Sequence, residues 1–102
     1  MSSDLTPAQH DDIVRTQALQ LLAQGFDVRA RIEGWFELPD FIAGYRPDIV
    51  AKKDEHFIIV EVEKGEIDWP KVSAFELFVR NRPNFEFRTI PAWREPARKT
   101  GT

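Results

Sequence analysis

Cysteine is absent from this chain, so it can build neither a disulfide framework nor a thiolate metal site, a composition that fits a reducing, cytoplasmic setting. Histidine occurs only as His10 and His56. The two are isolated, one in a helix start and one in a turn, and both are expected to be solvated rather than to ligate a metal. No apolar run approaches the ~20 residues that a membrane helix requires. The opening stretch MSSDLTPAQH has neither the basic patch nor the apolar segment of a secretory signal. Internal repeats and low-complexity tracts are missing too. There is no large excess of one charge: the net charge of -3 gives no long-range pull toward nucleic acid or an anionic membrane.

What is present is the composition of an ordinary globular protein. The 102 residues are 42% hydrophobic and 30% charged, enough for one domain that buries roughly two thirds of the surface its unfolded chain exposes. The core is expected between about residues 8 and 90, with a flexible polar tail over 91–102 that includes REPARKTGT. Charge is unevenly spread. Residues 1–45 carry three basic and seven acidic groups, whereas residues 65–102 carry seven basic and five acidic. The late basic groups, Arg80, Arg82, Arg88, Arg94, Arg98 and Lys99, read by themselves as a solvated face and a loose tail.

Hydrophobic periodicity lays out six elements. Thr6-Pro7-Ala8-Gln9 has the spacing of a capping box with proline at the first helical position, and Asp11 and Asp12 follow where the helix dipole favours anions. Ile13, Val14, Ala18, Leu21 and Leu22 share one helical side, and Gly25 is placed to end the helix. From Phe26 the period becomes two: Val28, Ala30 and Ile32 alternate with Arg29, Arg31 and Glu33, a strand with one buried and one wet face. The stretch WFELPDFIAGY connects to a second strand over about Arg46 to Lys52, and a turn at residues 53–56 leads to a third over Phe57 to Lys64. Ile58, Val60 and Val62 line one face of the third strand while Phe57 and Ile59 begin the other, which predicts a central position covered on both sides. Asp68-Trp69-Pro70 opens a second helix with Val72, Phe75, Phe78 and Val79 as its apolar stripe, ending near Asn81. Phe85 to Ile90 is the last strand. The order is helix, three strands, helix, strand: an α/β (α+β) domain. Trp69 is expected to pack the second helix on the sheet, and Trp35, Phe36, Phe41 and Tyr45 to give core cover or a dimer contact.

One pattern asks for chemistry. Glu61 and Glu63 lie two apart on an apolar strand and therefore share a face at roughly 6.5 Å along the chain. Burial and like charge both penalise such a pair unless cations or protons compensate. If the second and third strands form a hairpin about the 53–56 turn, Asp48 arrives at the same end. Three carboxylates suit a hard divalent cation such as Mg²⁺ or Mn²⁺, which prefers oxygen ligands and keeps waters that a phosphate can replace. The bland alternative is a surface ladder in which Glu61 and Glu63 face Arg29 and Arg31 of the first strand.

Pro47-Asp48, a hairpin, then Glu61-Val62-Glu63 on an apolar strand resembles the PD-(D/E)xK nuclease superfamily. Its core order of elements matches this chain from about Ala8 to Ile90. The resemblance implies a restriction-endonuclease-like core, a mixed four-stranded central sheet flanked by two helices. It also implies metal binding by Asp48 and Glu61, with the Val62 carbonyl as a further ligand. The motif lysine is replaced by Glu63, which some members use as a metal ligand or general base. Lys52, Lys64 and Lys71 are candidates for a displaced lysine, Lys71 first among them. The resemblance further allows an acidic ligand on the first helix, a role open to Asp12. The implied activity is Mg²⁺- or Mn²⁺-dependent hydrolysis of DNA. A domain this small offers little surface for sequence reading, which favours structure-selective cutting or action as a homodimer over sequence-specific recognition. The alternative is an inactive nuclease-like binding or assembly module, with the aromatic connection as its interface. No membrane partner is expected.

Overall fold

Thr6 starts the first helix of the structure, a computed structural model that describes residues 5–91. The Thr6 hydroxyl accepts the Gln9 backbone N–H at 3.1 Å, and Gln9 Oε1 accepts the Thr6 N–H at 2.9 Å. This closes the capping box that the sequence spells, with Pro7 in the first turn where its missing N–H costs nothing. Helix α1 (Pro7–Ala23) then buries His10, Val14, Ala18 and Leu21. Gly25 turns the chain at φ 94°, a conformation that a Cβ would disfavour. Because the first turn begins at Pro7, Asp11 and Asp12 fall beyond it, and the helix has no acidic residue in that turn. The expected dipole role is therefore corrected: Asp12 pairs with Arg15 one turn on.

Four strands follow: β1 (Asp27–Ala30), β2 (Ile49–Lys53), β3 (His56–Val62) and, after helix α2 (Trp69–Arg80), β4 (Phe85–Ile90). The sheet order is β1-β2-β3-β4, with β1 antiparallel to β2, β2 antiparallel to β3, and β3 parallel to β4. The β2–β3 hairpin closes at Lys53↔His56 with Asp54 at φ 56°, where the sequence places its turn. The tail over 92–102, with Arg94, Arg98 and Lys99, lies outside the described residues.

The two helices cover opposite faces. Ile58, Val60 and Val62 of β3 join Val28, Ala30, Ile49, Ala51 and the buried side of α1 in one cluster. On the other side Ile59 and Phe75 of α2 are fully buried. There the Phe75 ring meets Tyr45 at 6.4 Å and Phe87 at 5.5 Å between centroids. The predicted central strand is thus central and covered above and below. Glu61 takes the parity of Ile59 and so the α2 side of the sheet; the strand stops at Val62 rather than at the expected Lys64, and Glu63 follows just beyond it, its N–H still donating to the Ile90 carbonyl. Among the described residues no helix is long and apolar enough to cross a membrane.

Three expectations are corrected. β1 stops at Ala30, because the chain folds over itself there, with the Trp35 and Phe36 N–H groups both donating to the Ile32 carbonyl; Ile32 nonetheless stays buried. β2 begins at Ile49, because Pro47 cannot donate to a ladder. Trp69 does not pack the helix: it is 62% exposed, and Val72 and Phe75 do that work. Of the aromatic connection, Phe36 packs against the core and Tyr45 against Phe75, while Trp35 and Phe41 stay exposed.

Phe75 holds the α2 face together, so Phe75→Ala should lower the unfolding free energy by about 3–5 kcal/mol. Urea denaturation followed by circular dichroism measures this; a loss below about 1 kcal/mol would contradict the packing described.

Candidate active site

At the far end of the hairpin from its turn, Asp48 just before β2 and Glu61 in β3 flank the last strand pair, Ile49↔Val60. They are tied to each other through the backbone. Glu61 Oε1 accepts the Asp48 N–H at 3.2 Å, and Asp48 Oδ2 accepts the Val62 N–H at 2.8 Å. Pro47, fully buried beside them, fixes the approach of the chain. Asp48, Glu61 and Glu63 are all buried, an arrangement that charged groups tolerate only with partners.

The partners come from both helices. Lys71, in the first turn of α2, places Nζ 2.7 Å from Glu61 Oε2 with both side chains largely buried. The helix start is fixed by Asp68, whose carboxylate accepts the Lys71 backbone N–H at 3.3 Å. From α1, His10 Nε2 lies 3.3 Å from Asp48 Oδ2, and its Nδ1 lies 3.5 Å from Asp11. The expectation that His10 is isolated and solvated is therefore wrong: it is 7% exposed. One helical turn before Val14, it sits on the buried face of α1, a position that its place among polar neighbours in the sequence conceals. His56 is half exposed, near Glu86.

The arginine ladder is overturned. β2 lies between β1 and β3, so Arg29 cannot stand beside Glu61 on a neighbouring strand; it approaches Glu37 at 3.6 Å instead. Arg31 does reach the site, at the rim of the cavity of about 250 Å³ that Asp48, Glu61, Val62, Glu63 and Lys71 line together with His10. Every residue that the motif implies thus opens on one cavity. Of the other lysines, Lys64 is on the rim, while Lys52 is on the far cavity of the sheet face. Asp12 is not a lining residue.

Electrostatics follow from burial. Loss of hydration, then the charge of Asp48, pushes the Glu61 carboxyl up to about 7 in spite of Lys71. The same two causes, in the same order, raise Glu63. The hydrogen bond to Asp48 raises His10, against its burial. Three acidic groups with oxygen donors in one cavity, two of them held back from ionising, make a donor set that suits a hard divalent cation. As the side chains stand, however, Lys71 occupies Glu61 Oε2 and the Val62 amide occupies Asp48 Oδ2. Among the described residues no group of three or more His, Cys, Asp or Glu side chains converges in a metal-ligating arrangement. The expected three-carboxylate centre is corrected to that extent: the acids are gathered, and protein groups hold them.

Comparison with known proteins gives one family. The sequence matches the AHJR-like family, described as REase_AHJR-like, over residues 2–100. No curated protein and no solved structure matches.

The raised groups set a pH dependence. Between the ordinary glutamate value of 4.5 and about 7, the folded chain keeps a proton on Glu61 that the unfolded chain has lost, so stability falls as pH rises through that window. His10, raised above 6.5, acts in the same sense: its pairing with Asp48 is fully formed below 6.5 and is lost as pH climbs through the folded value. Chemical denaturation should therefore show lower stability at pH 8 than at pH 5, by about 2 kcal/mol. Lys71→Met should cost little at pH 5 and about 2 kcal/mol more at pH 8, where the ionised Glu61 has lost its cation. A penalty equal at both values would contradict the Glu61–Lys71 pairing.

Proposed function

Because the chain belongs to the restriction-endonuclease-like AHJR family of the PD-(D/E)xK nuclease superfamily, we propose that it is a metal-dependent nuclease hydrolysing phosphodiester bonds in DNA, with Glu63 in the place of the motif lysine. The observation that carries this reading is the meeting of Asp48, Glu61-Val62-Glu63 and Lys71 around one cavity, with Lys71 Nζ 2.7 Å from Glu61.

Asp48 and Glu61 would hold Mg²⁺ or Mn²⁺, with the Val62 carbonyl and Glu63 as further oxygen donors. When bound, such an ion polarises a phosphoryl oxygen and lowers the pKa of a bound water. The chain's own groups supply the rest. Lys71, brought in from α2 rather than from the strand, offers an ammonium beside the acids, where it can stabilise negative charge developing on a phosphoryl group. Glu63 has no hydrogen-bond partner for its carboxylate among the described residues, and burial raises its affinity for a proton, which suits a group that accepts a proton from water. His10, in the same cavity, braces Asp48 from the α1 side, which would help the aspartate keep its orientation when neighbouring charges change. An ion held at Glu61 Oε2 would compete with Lys71 for that oxygen.

A second reading has one specific observation in its favour. The Lys71–Glu61 pair and the Val62–Asp48 hydrogen bond already satisfy two of the acids, as they would in a chain that keeps the fold for binding or assembly and has lost catalysis.

Cleavage assays separate the two. Labelled single-stranded, duplex and branched DNA incubated with the protein in Mn²⁺ should be cut, with no cutting in EDTA. Asp48→Asn and Lys71→Met should each lower the rate at least about 100-fold. Cleavage that persists in Asp48→Asn, or no Mn²⁺-dependent cleavage of any substrate, would remove the nuclease reading.

A further inference from the structure

On the α2 side of the sheet the acidic cavity does not end at Lys71. It shares Arg31, Asp68 and Lys71 with a second cavity of about 370 Å³. That one shares Phe41 with a third of about 470 Å³, which lies over the part of the sheet that α2 leaves open and has Phe57, Phe78 and Phe85 in its walls. Through these shared walls the three lie in series, a track from the acids to an aromatic cleft.

We propose that this track binds a single-stranded segment of DNA that continues from the phosphate held at the acids; the proposal rests on the nuclease reading for its starting point and extends it to the substrate's strand state. Charge is the first argument. Despite the acidic chain, the middle cavity carries Arg31 and Arg46 against Asp68, with Lys71 there already paired to Glu61, a balance that favours a phosphate backbone. Arg31 is exposed and has no ion-pair partner among the described residues. Arg46 lines the same cavity, and its buried Nε makes no hydrogen bond among the described residues, so no carboxylate among them neutralises that guanidinium nitrogen.

Aromatic placement is the second. Phe41 is 63% exposed, and the Arg46 guanidinium lies over its ring at 4.5 Å. Both flank a tight turn in which the Ile42 N–H donates to the Tyr45 carbonyl at 2.7 Å and the Tyr45 N–H to the Ile42 carbonyl at 3.0 Å. Ala43 at φ 54° and Gly44 at φ 88° give this turn a left-handed backbone at both central positions. Phe41 and Arg46 therefore stand next to each other just outside the Ile42↔Tyr45 bridge that closes this turn. An exposed ring beside a planar cation is a stacking platform for an unpaired base, and every base has a face to offer it. A duplex keeps its bases stacked inside and cannot use that platform.

Fluorescence anisotropy in EDTA tests this on the full chain, with a labelled 12-nucleotide oligo-dT and a hairpin duplex of equal length. EDTA removes hydrolysis, so failure of the nuclease reading leaves this measurement intact, and the cleavage assay with Asp48→Asn stays informative if the track fails. The wild-type chain should bind the single strand more tightly than the duplex. Phe41→Ala and Arg46→Ala, each checked for unchanged circular dichroism and melting, should weaken single-strand binding about five-fold or more, and Phe41→Tyr should stay within about two-fold of wild type. Duplex binding should change less than about two-fold. Equal loss on both ligands, unchanged single-strand binding in both variants, or no binding by wild type would overturn the proposal. So would loss of self-association by Phe41→Ala with oligo-dT binding intact, which would make a second copy of the chain the occupant.

Discussion

Burying Asp48 and Glu61 next to each other at the end of a hairpin is the constraint around which the rest of this structure is arranged. Two carboxylates out of water repel each other and each has lost its hydration, so every neighbouring element contributes a compensating group. The backbone of each strand donates to the acid on the other. Helix α1 brings an imidazole and helix α2 an ammonium. Even with these, the Glu61 carboxyl is held near 7. The compensation is incomplete in the sense that favours a further positive charge.

The sheet makes this possible by being covered unequally. Helix α1 packs its Val14, Ala18 and Leu21 onto the apolar side of β1, β2 and β3, which gives the hairpin a rigid floor. Helix α2 lies over β3 and β4 and leaves the other face of β1 and β2 open. The acids sit where the covered and open regions meet, and the open region carries the aromatic and cationic side chains that lead away from them. Rigid support on one face and access on the other follow from a single choice, the order β1-β2-β3-β4 with the crossover helix on one side.

Much of this was written plainly in the sequence. The capping box at Thr6, the hairpin turn at 53–56, the two-sided apolar start of β3 and the strand Phe85–Ile90 all rest on local rules, and each stands where those rules put it. Pro47-Asp48 and Glu61-Val62-Glu63 were legible because a two-residue period fixes which side chains share a face. Lys71 was legible from its place after the site strand. His10 was not, since its partner is 38 residues away and its neighbours in sequence are polar; only its spacing of four from Val14 pointed to the buried face. The arginine ladder failed for a related reason: alternation within a strand says which face a residue takes but not which strand lies beside it. Trp69 failed because a large apolar side chain at a helix start has a free end toward solvent, and the stripe of Val72 and Phe75 already filled the space below.

The most direct measurement is a carbon-detected NMR titration of the Glu61 side-chain carboxyl, with and without Mg²⁺. Without the ion, the midpoint should lie near 7, and saturating Mg²⁺ should move it clearly down, because a cation bound at the acids favours the ionised form. A midpoint close to 4.5 in both samples would mean that Glu61 is neither strained by burial nor poised for a metal, and the account of this site would be wrong.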